Sequence, residues 1–148
     1  MQIIRANEKK RIIEKLNEQF GIEKFPYLFL RFGKEKIRIY SGNLSSQELS
    51  ILDKNLRIEN IGLYFAKEHG DGIRLNLDSL SLLKSQIKKN VLELSDEQAE
   101  KWFRGEDLLI QAERGFKILK NQGEFIGCGK STGDRIANFM PKERRIKG

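Results

Sequence analysis

The segment GEFIGCGKSTGDRIANFMPKERRIKG, Gly123 to Gly148, constrains the fold most, because it admits two incompatible backbones. One is a nucleotide-binding loop leading into a helix. The other is a pair of strands joined by a turn. A phosphate-binding loop needs four residues between its first glycine and the Gly-Lys pair, so that successive backbone N–H groups wrap the phosphates before a helix begins. Gly129, Lys130 and Ser131 supply the pair and the hydroxyl, but the position five before Gly129 is Glu124, and Gly123 stands one place too early. A carboxylate at the start of the loop repels the phosphates it should receive. Gly133 then breaks any helix in its first turn, and fewer than twenty residues follow Gly129 to complete a nucleotide fold. The segment therefore reads as strands, with a turn at Thr132 to Asp134.

The rest of the chain must fold without cross-links. Cys128 is the single cysteine, which excludes an internal disulfide and a cysteine-based zinc site and leaves the fold resting on its apolar core. With 148 residues the chain holds one medium domain or two small ones. No apolar run approaches the roughly 18 residues of a membrane span, and Arg5 with the charges from Glu8 onwards interrupts any signal-peptide core. The expected location is the cytoplasm. Net charge is +7, unevenly placed: residues 1–90 carry 17 Lys+Arg against 11 Asp+Glu, and residues 91–148 carry 11 against 10. Within the nearly neutral second part, Lys130, Arg135, Lys142, Arg144, Arg145 and Lys147 face only Asp134 and Glu143, so positive charge gathers at the C-terminus. Clustered cations favour a polyanionic partner; a basic surface that only aids solubility is the alternative.

Periodicity divides the chain into elements. Ile12, Ile13, Leu16 and Phe20 form one stripe of a helix from Asn7, its expected N-cap, to a stop at Gly21. The basic face of this helix, Lys9, Lys10 and Lys15, is open to solvent or to RNA. FPYLFLRF and KIRIY read as a hairpin around Gly33. Ser45 and Glu48 form a capping box for a short helix carrying Leu49, Leu52 and Leu56. NIGLYFA and GIRLNLD read as strands flanking the turn KEHGD, and Asp78 caps a helix with Leu80, Leu82, Leu83 and Ile87. Lys84 to Asn90 closes this part, and a domain boundary is expected after Asn90. Without a Pro/Gly-rich spacer, the two parts are expected to pack together. Beyond it come a strand VLEL, a helix with Ser95 as N-cap and Gln98 at N3 that ends at Gly105, and strands around DLLI, GFKILK, EFIGCGK and RIANFM. Ala99, Trp102 and Phe103 are the buried stripe of that helix. Short strands around one short helix predict a small mixed barrel, giving an α+β chain overall.

The order of these pieces resembles a PUA domain, the RNA-binding fold named for pseudouridine synthases and archaeosine transglycosylases. More narrowly, it resembles the PUA-like domain of Sun-type RNA cytosine C5 methyltransferases. Arg104, Gly105 and Glu106 match that family's RGE at a helix end; Gly127, Gly129 and Lys130 match its LGxGK strand, with Ile126 for leucine; Asn138, Pro141, Lys142 and Arg145 match its Asn, Pro-Lys and Arg. Residues 1–90 resemble, through an opening helix, an aromatic strand pair and LYFAK followed by IRLNLDSL, the pre-PUA domain of ribosome-biogenesis factors. The resemblance implies a pre-PUA-like α/β domain over 1–90, an antiparallel sheet with helices, and a PUA-type mixed pseudo-barrel over 91–148. It implies RNA contact, with rRNA or tRNA, through the second part and protein contact through the first, with an RNA methyltransferase or a ribosome-assembly factor as the partner. An adaptor that docks on such a protein is the alternative function. The methyltransferases' Pro-Cys and Thr-Cys motifs and their cofactor fold have no counterpart in these residues, so the expectation is a non-catalytic protein with no cofactor and no metal.

Single residues bear on the same question. His69, in KEHGDG, is expected as a solvent-facing loop residue, and Asp71 has too few ligands nearby for a metal. Cys128, between two glycines, reads as a small packed residue, and Trp102 as core. Gly105, Gly127 and Gly129 remove side chains where a backbone could approach an RNA strand; a strand bulge explains Gly127 and Gly129 equally. In the RNA reading Lys130, Lys142, Arg144 and Arg145 hold phosphates with Arg104 and Arg135 nearby, and Asn138 meets a base edge or a sugar.

Overall fold

The change of hydrophobic period along the chain is realised as two sheets that share a core. This computed structural model describes residues 1–42, 44–56 and 62–147, the side chains of residues 52–56 excepted. Helix α1 (Ala6–Phe20) lays Ile12, Leu16 and Phe20 inward, and it stops at Gly21, whose left-handed φ of 83° lets its N–H return to the Asn17 carbonyl. Its N-cap is Arg5 and not Asn7, whose side chain instead accepts from the Glu8 N–H.

Five antiparallel strands form the first sheet in sequence order: β1 (Gln2–Ile3), β2 (Leu28–Phe32), β3 (Lys36–Tyr40), β4 (Leu63–His69) and β5 (Gly72–Leu75). Helix α2 (Ser46–Leu56) opens on the expected Ser45–Glu48 capping box and buries Leu49. The side chains of Leu52 and Leu56 in its expected stripe, and the start of the strand NIGLYFA, lie outside what the structure describes. Helix α3 (Leu77–Leu83) is capped by Asn76, so Asp78 sits in its first turn; Leu80 and Leu83 are buried, while Leu82 is exposed and Ile87 packs beyond the helix end.

The second sheet is mixed. Strand β6 (Val91–Glu93) runs parallel to β7 (Gly115–Asn121), which pairs antiparallel with β8 (Glu124–Ser131), and β8 pairs with the two-residue β9 (Ile136–Ala137). Helix α4 (Asp96–Phe103) crosses between β6 and β7. Expected strands at DLLI and RIANFM shrink to one bridge, Leu108 to Ile136, and to β9. Polar side chains explain the shortening, because Asn138 and Asp107 take over the backbone groups that a longer ladder would use.

One apolar cluster spans both sheets. Phe116, Ile118 and Cys128 of the second sheet lie with Phe20, Phe65, Ile73 and Leu83 of the first part, whereas a second cluster around Trp102, Leu119 and Ile136 belongs to the curled sheet and α4. At the crossing point Asn90 adopts a left-handed φ of 56°. Its side chain donates to the Gln19 carbonyl and accepts from the buried ammonium of Lys117 at 2.8 Å, and its carbonyl receives the Ile118 N–H at 2.8 Å. Asparagine tolerates that backbone better than other side chains. Asn90→Gly keeps the conformation but loses both side-chain bonds; Asn90→Ala loses both and adds strain. Urea denaturation should place both below the wild type, with the alanine variant about 1 kcal/mol below the glycine variant.

Candidate nucleic-acid interface

The C-terminal motifs converge on the end of α4. The capping box is complete, with Ser95 Oγ accepting from Gln98 N–H and Gln98 Oε1 from Ser95 N–H, and it fixes where the helix starts. One face then places Ala99 and Trp102 on the curled sheet. The indole of Trp102 lies against β8 where two side chains are missing. A Cβ at Gly127 would stand 2.6 Å from Trp102 Nε1, and one at Gly129 would stand 2.8 Å from the ring and 2.5 Å from Ile136 Cγ2. The space at both glycines is thus filled from within the protein, which corrects the expectation that RNA backbone lies against them. A bulge occurs beside Gly127, because Leu119 pairs with Gly127 and Lys120 with Phe125, leaving Ile126 unopposed.

Gly105 receives the same correction. It ends α4 with φ of 89°, and a Cβ there would meet the Arg145 side chain at 2.4 Å. Arg145 crosses it and donates from Nε to the Met140 carbonyl at 3.0 Å. The following Ile146 N–H reaches the Phe103 carbonyl at 2.8 Å, so residues 141–147, with a 3-10 turn at Lys142–Arg144, are strapped across the helix end. Asn138 fastens the strap from below. Its amide donates to the Trp102 and Glu106 carbonyls, its Oδ1 accepts from Met140 N–H at 2.8 Å, and its own N–H is held by Asp107. Both polar groups of this side chain are engaged within the protein, so it builds the surface.

The cations divide by partner. Lys130 is ion-paired with Asp71, and Arg144 grips Asp78 through two bonds of 3.0 and 2.7 Å; both acids belong to the first part of the chain. Arg104 pairs with Glu100, and Arg135 lies 3.7 Å from Asp107. The Lys142 side chain has no hydrogen bond or ion pair among the described residues. The paired side chains are a third or more exposed, where an ion pair contributes about 0–1 kcal/mol, so a phosphate can displace the carboxylate at small cost. The GKS triplet itself lies at the end of β8, extended and paired, with no loop or helix to cradle a nucleotide.

Two further positions differ from, or match, their expected roles. His69 is the last residue of β4, not a solvent-facing loop residue: its ring lies 5.3 Å from Phe116 and 6.2 Å from Phe139, and Nε2 is buried. Burial, then the nearby charges of Arg74 and Lys67, hold its pKa below the usual histidine range. Cys128 is buried, as a packed residue, and burial pushes its thiol up to about 12, far from the thiolate a nucleophile needs. Among the described residues there is no cluster of three or more potential metal ligands, and no helix is long and apolar enough to cross a membrane.

Sequence reasoning missed the cations outside the C-terminal motifs. Strand register puts Lys36 opposite Lys67, Arg38 opposite Tyr64, and Lys67 opposite Arg74, on the face of the first sheet turned away from Ile37, Ile39 and Ala66. The signal was present in KIRIY, whose alternate residues are Lys36, Arg38 and Tyr40.

A helix seated on a curled mixed sheet, following an antiparallel sheet with helices, is a PUA-like α+β architecture. Residues 89–146 match the family model described as the methyltransferase RsmF PUA domain, and this C-terminal region resembles the PUA domain of Sun-type methyltransferases. Ribosomal RNA small subunit methyltransferase F of Psychromonas ingrahamii is 35% identical over 99 residues, covering 62% of this chain and 21% of that protein. The same-named proteins of Vibrio parahaemolyticus and Vibrio cholerae are each 30% identical, over 95 and 102 residues, covering 60% and 68% of this chain and 20% and 22% of theirs. The chain thus spans about a fifth of the length of the curated relatives it matches. A hypothetical protein of Pyrococcus horikoshii, PH0734.1, shares the fold over 99% of this chain and 89% of its own, with a TM-score of 0.56 and 14% identity.

The Trp102 seat is testable. Gly127→Ala should cost about 1–3 kcal/mol by overpacking against the indole. In a double-mutant cycle by chemical denaturation, Trp102→Phe, which removes the crowded Nε1 edge, should recover part of that loss.

Proposed function

We propose that this protein binds structured RNA, rRNA or tRNA, without catalysing a reaction on it, and serves RNA modification or ribosome biogenesis in the cytoplasm. The observation that carries this reading is the match of residues 89–146 to the RsmF PUA family, in a region that places Arg104, Arg135 and Arg145 in a cationic rim at the end of α4. We divide the chain functionally after Asn90, with 91–148 as the RNA-binding unit and 1–90 as the unit that sets its orientation. Arg104, Lys130, Arg135, Lys142, Arg144 and Arg145 supply charge to the rim, joined by Lys147. Gly105, Gly127, Gly129 and Asn138 give the rim its shape. The high thiol pKa of Cys128 supports a binding role over nucleophilic chemistry. The partner class that fits beside RNA is an RNA methyltransferase or an assembly factor that acts on the same RNA.

Arg145 is built into the fold, so the charges to reverse are its outward neighbours. Lys142→Glu with Lys147→Glu should keep the melting temperature and weaken binding to transcribed 16S rRNA fragments or tRNA at least tenfold. The slope of log K against log salt should fall by roughly one for each phosphate that is no longer neutralised. Wild-type protein that binds neither RNA at low salt would refute the proposal.

A further inference from the structure

The first sheet carries a second cationic surface that the PUA comparison does not include. Its inner face is closed by α1 and the shared core, with Ile37, Ile39, Ala66, Ile73 and Leu75 buried. Directly paired residues share a face, so the register gathers Lys36, Lys67 and Arg74 in one row across β3, β4 and β5, with Arg38 and Tyr64 paired alongside. Lys36 Nζ stands 5.8 Å from the centre of the Tyr64 ring. Lys34, in the β2–β3 turn, extends the charge and lines a groove with Lys36, Arg38 and Lys67. Glu35 lies 3.3 Å from Lys67 and offsets part of this charge.

The row ends at the seam between the sheets. There the Arg74 guanidinium stacks on Phe139 of the PUA region at 4.4 Å. Arg74 and Trp102 both line a cavity of about 30 Å³, and Arg74 Nε and Trp102 Nε1 are buried donors without an acceptor among the described residues. Cations in a row with an aromatic ring alongside them form a track suited to an extended polyanion with stacking faces. Single-stranded nucleic acid has both properties.

We propose that the outer face of strands β3 to β5 binds a single-stranded RNA segment continuous with the structured RNA on the PUA domain. In this arrangement Lys36, Lys67 and Arg74 meet phosphates and Tyr64 stacks on a base. The inference rests on the RNA-binding function proposed above, and it assigns to residues 1–90 an RNA contact in addition to an orienting role.

The test uses the full chain and two fluorescent probes, an RNA hairpin and the same hairpin with a single-stranded tail of about ten nucleotides. The tailed probe should bind more tightly. Lys36→Gln with Lys67→Gln, and separately Tyr64→Ala, should lower affinity for the tailed probe roughly 5- to 100-fold, leaving the blunt hairpin and the melting temperature unchanged. Tail-independent binding, or full affinity of these folded variants for the tailed probe, would overturn the inference while the PUA function stands. Loss of both probes by Lys142→Glu with Lys147→Glu supports that function separately, and failure of wild type to bind either probe removes both. Polyglutamate that displaces the tail as well as RNA does would overturn the inference in favour of an acidic polypeptide.

Discussion

The whole arrangement depends on Phe116, Ile118 and Cys128 entering a core that belongs mostly to the first part of the chain. Burial of this apolar area holds the PUA region against the antiparallel sheet without any flexible spacer. The left-handed turn at Asn90 makes it possible, because the chain must leave α3, reverse and enter β6 beside β7 within a few residues. Lys117 lies in this joint with its ammonium on Asn90 Oδ1 and its backbone in β7, so the charge is buried only because a specific acceptor meets it.

That geometry explains the ion pairs across the seam. Asp71 and Asp78 come from the first part, Lys130 and Arg144 from the second, and each pair closes a gap between elements far apart in sequence. Such exposed pairs add little to stability. Their effect is to keep these cations oriented along the seam and partly neutralised. On the RNA-binding function proposed above, phosphate exchanges with carboxylate on groups already in position, which limits the conformational entropy lost.

Much of this was legible in the residues, and the exceptions have physical causes. The capping boxes at Ser45 and Ser95, the stop at Gly21 and the strand alternation of KIRIY are local signals, and they appeared where local chemistry placed them. The PUA motifs were legible as well, but their roles were not. Whether a missing side chain at Gly127 admits a ligand or a tryptophan depends on a helix 25 residues earlier, a non-local fact. Asn138 failed in the same way, since its three partners lie on α4, the following loop and its own strap. His69 looked like a turn residue because KEHGDG is rich in turn formers, yet β4 extends to it and Phe116 covers its ring. The outer row of the first sheet required the register, which brings Lys36, Lys67 and Arg74 together from three strands. The candidate site residues legible in sequence were those of contiguous motifs, and the candidates assembled by pairing were not.

Trp102 has one more consequence. It is the single tryptophan, buried against Gly127 and Gly129, whereas the three tyrosines, Tyr27, Tyr40 and Tyr64, all lie in the first part of the chain. The protein therefore carries two spectroscopically separable chromophores, one per sheet. Indole emission responds to the curled sheet and the seam cavity beside it, and tyrosine absorbance responds to the antiparallel sheet. Whether the two sheets lose their structure together or in sequence is written in the native fluorescence, without any added label.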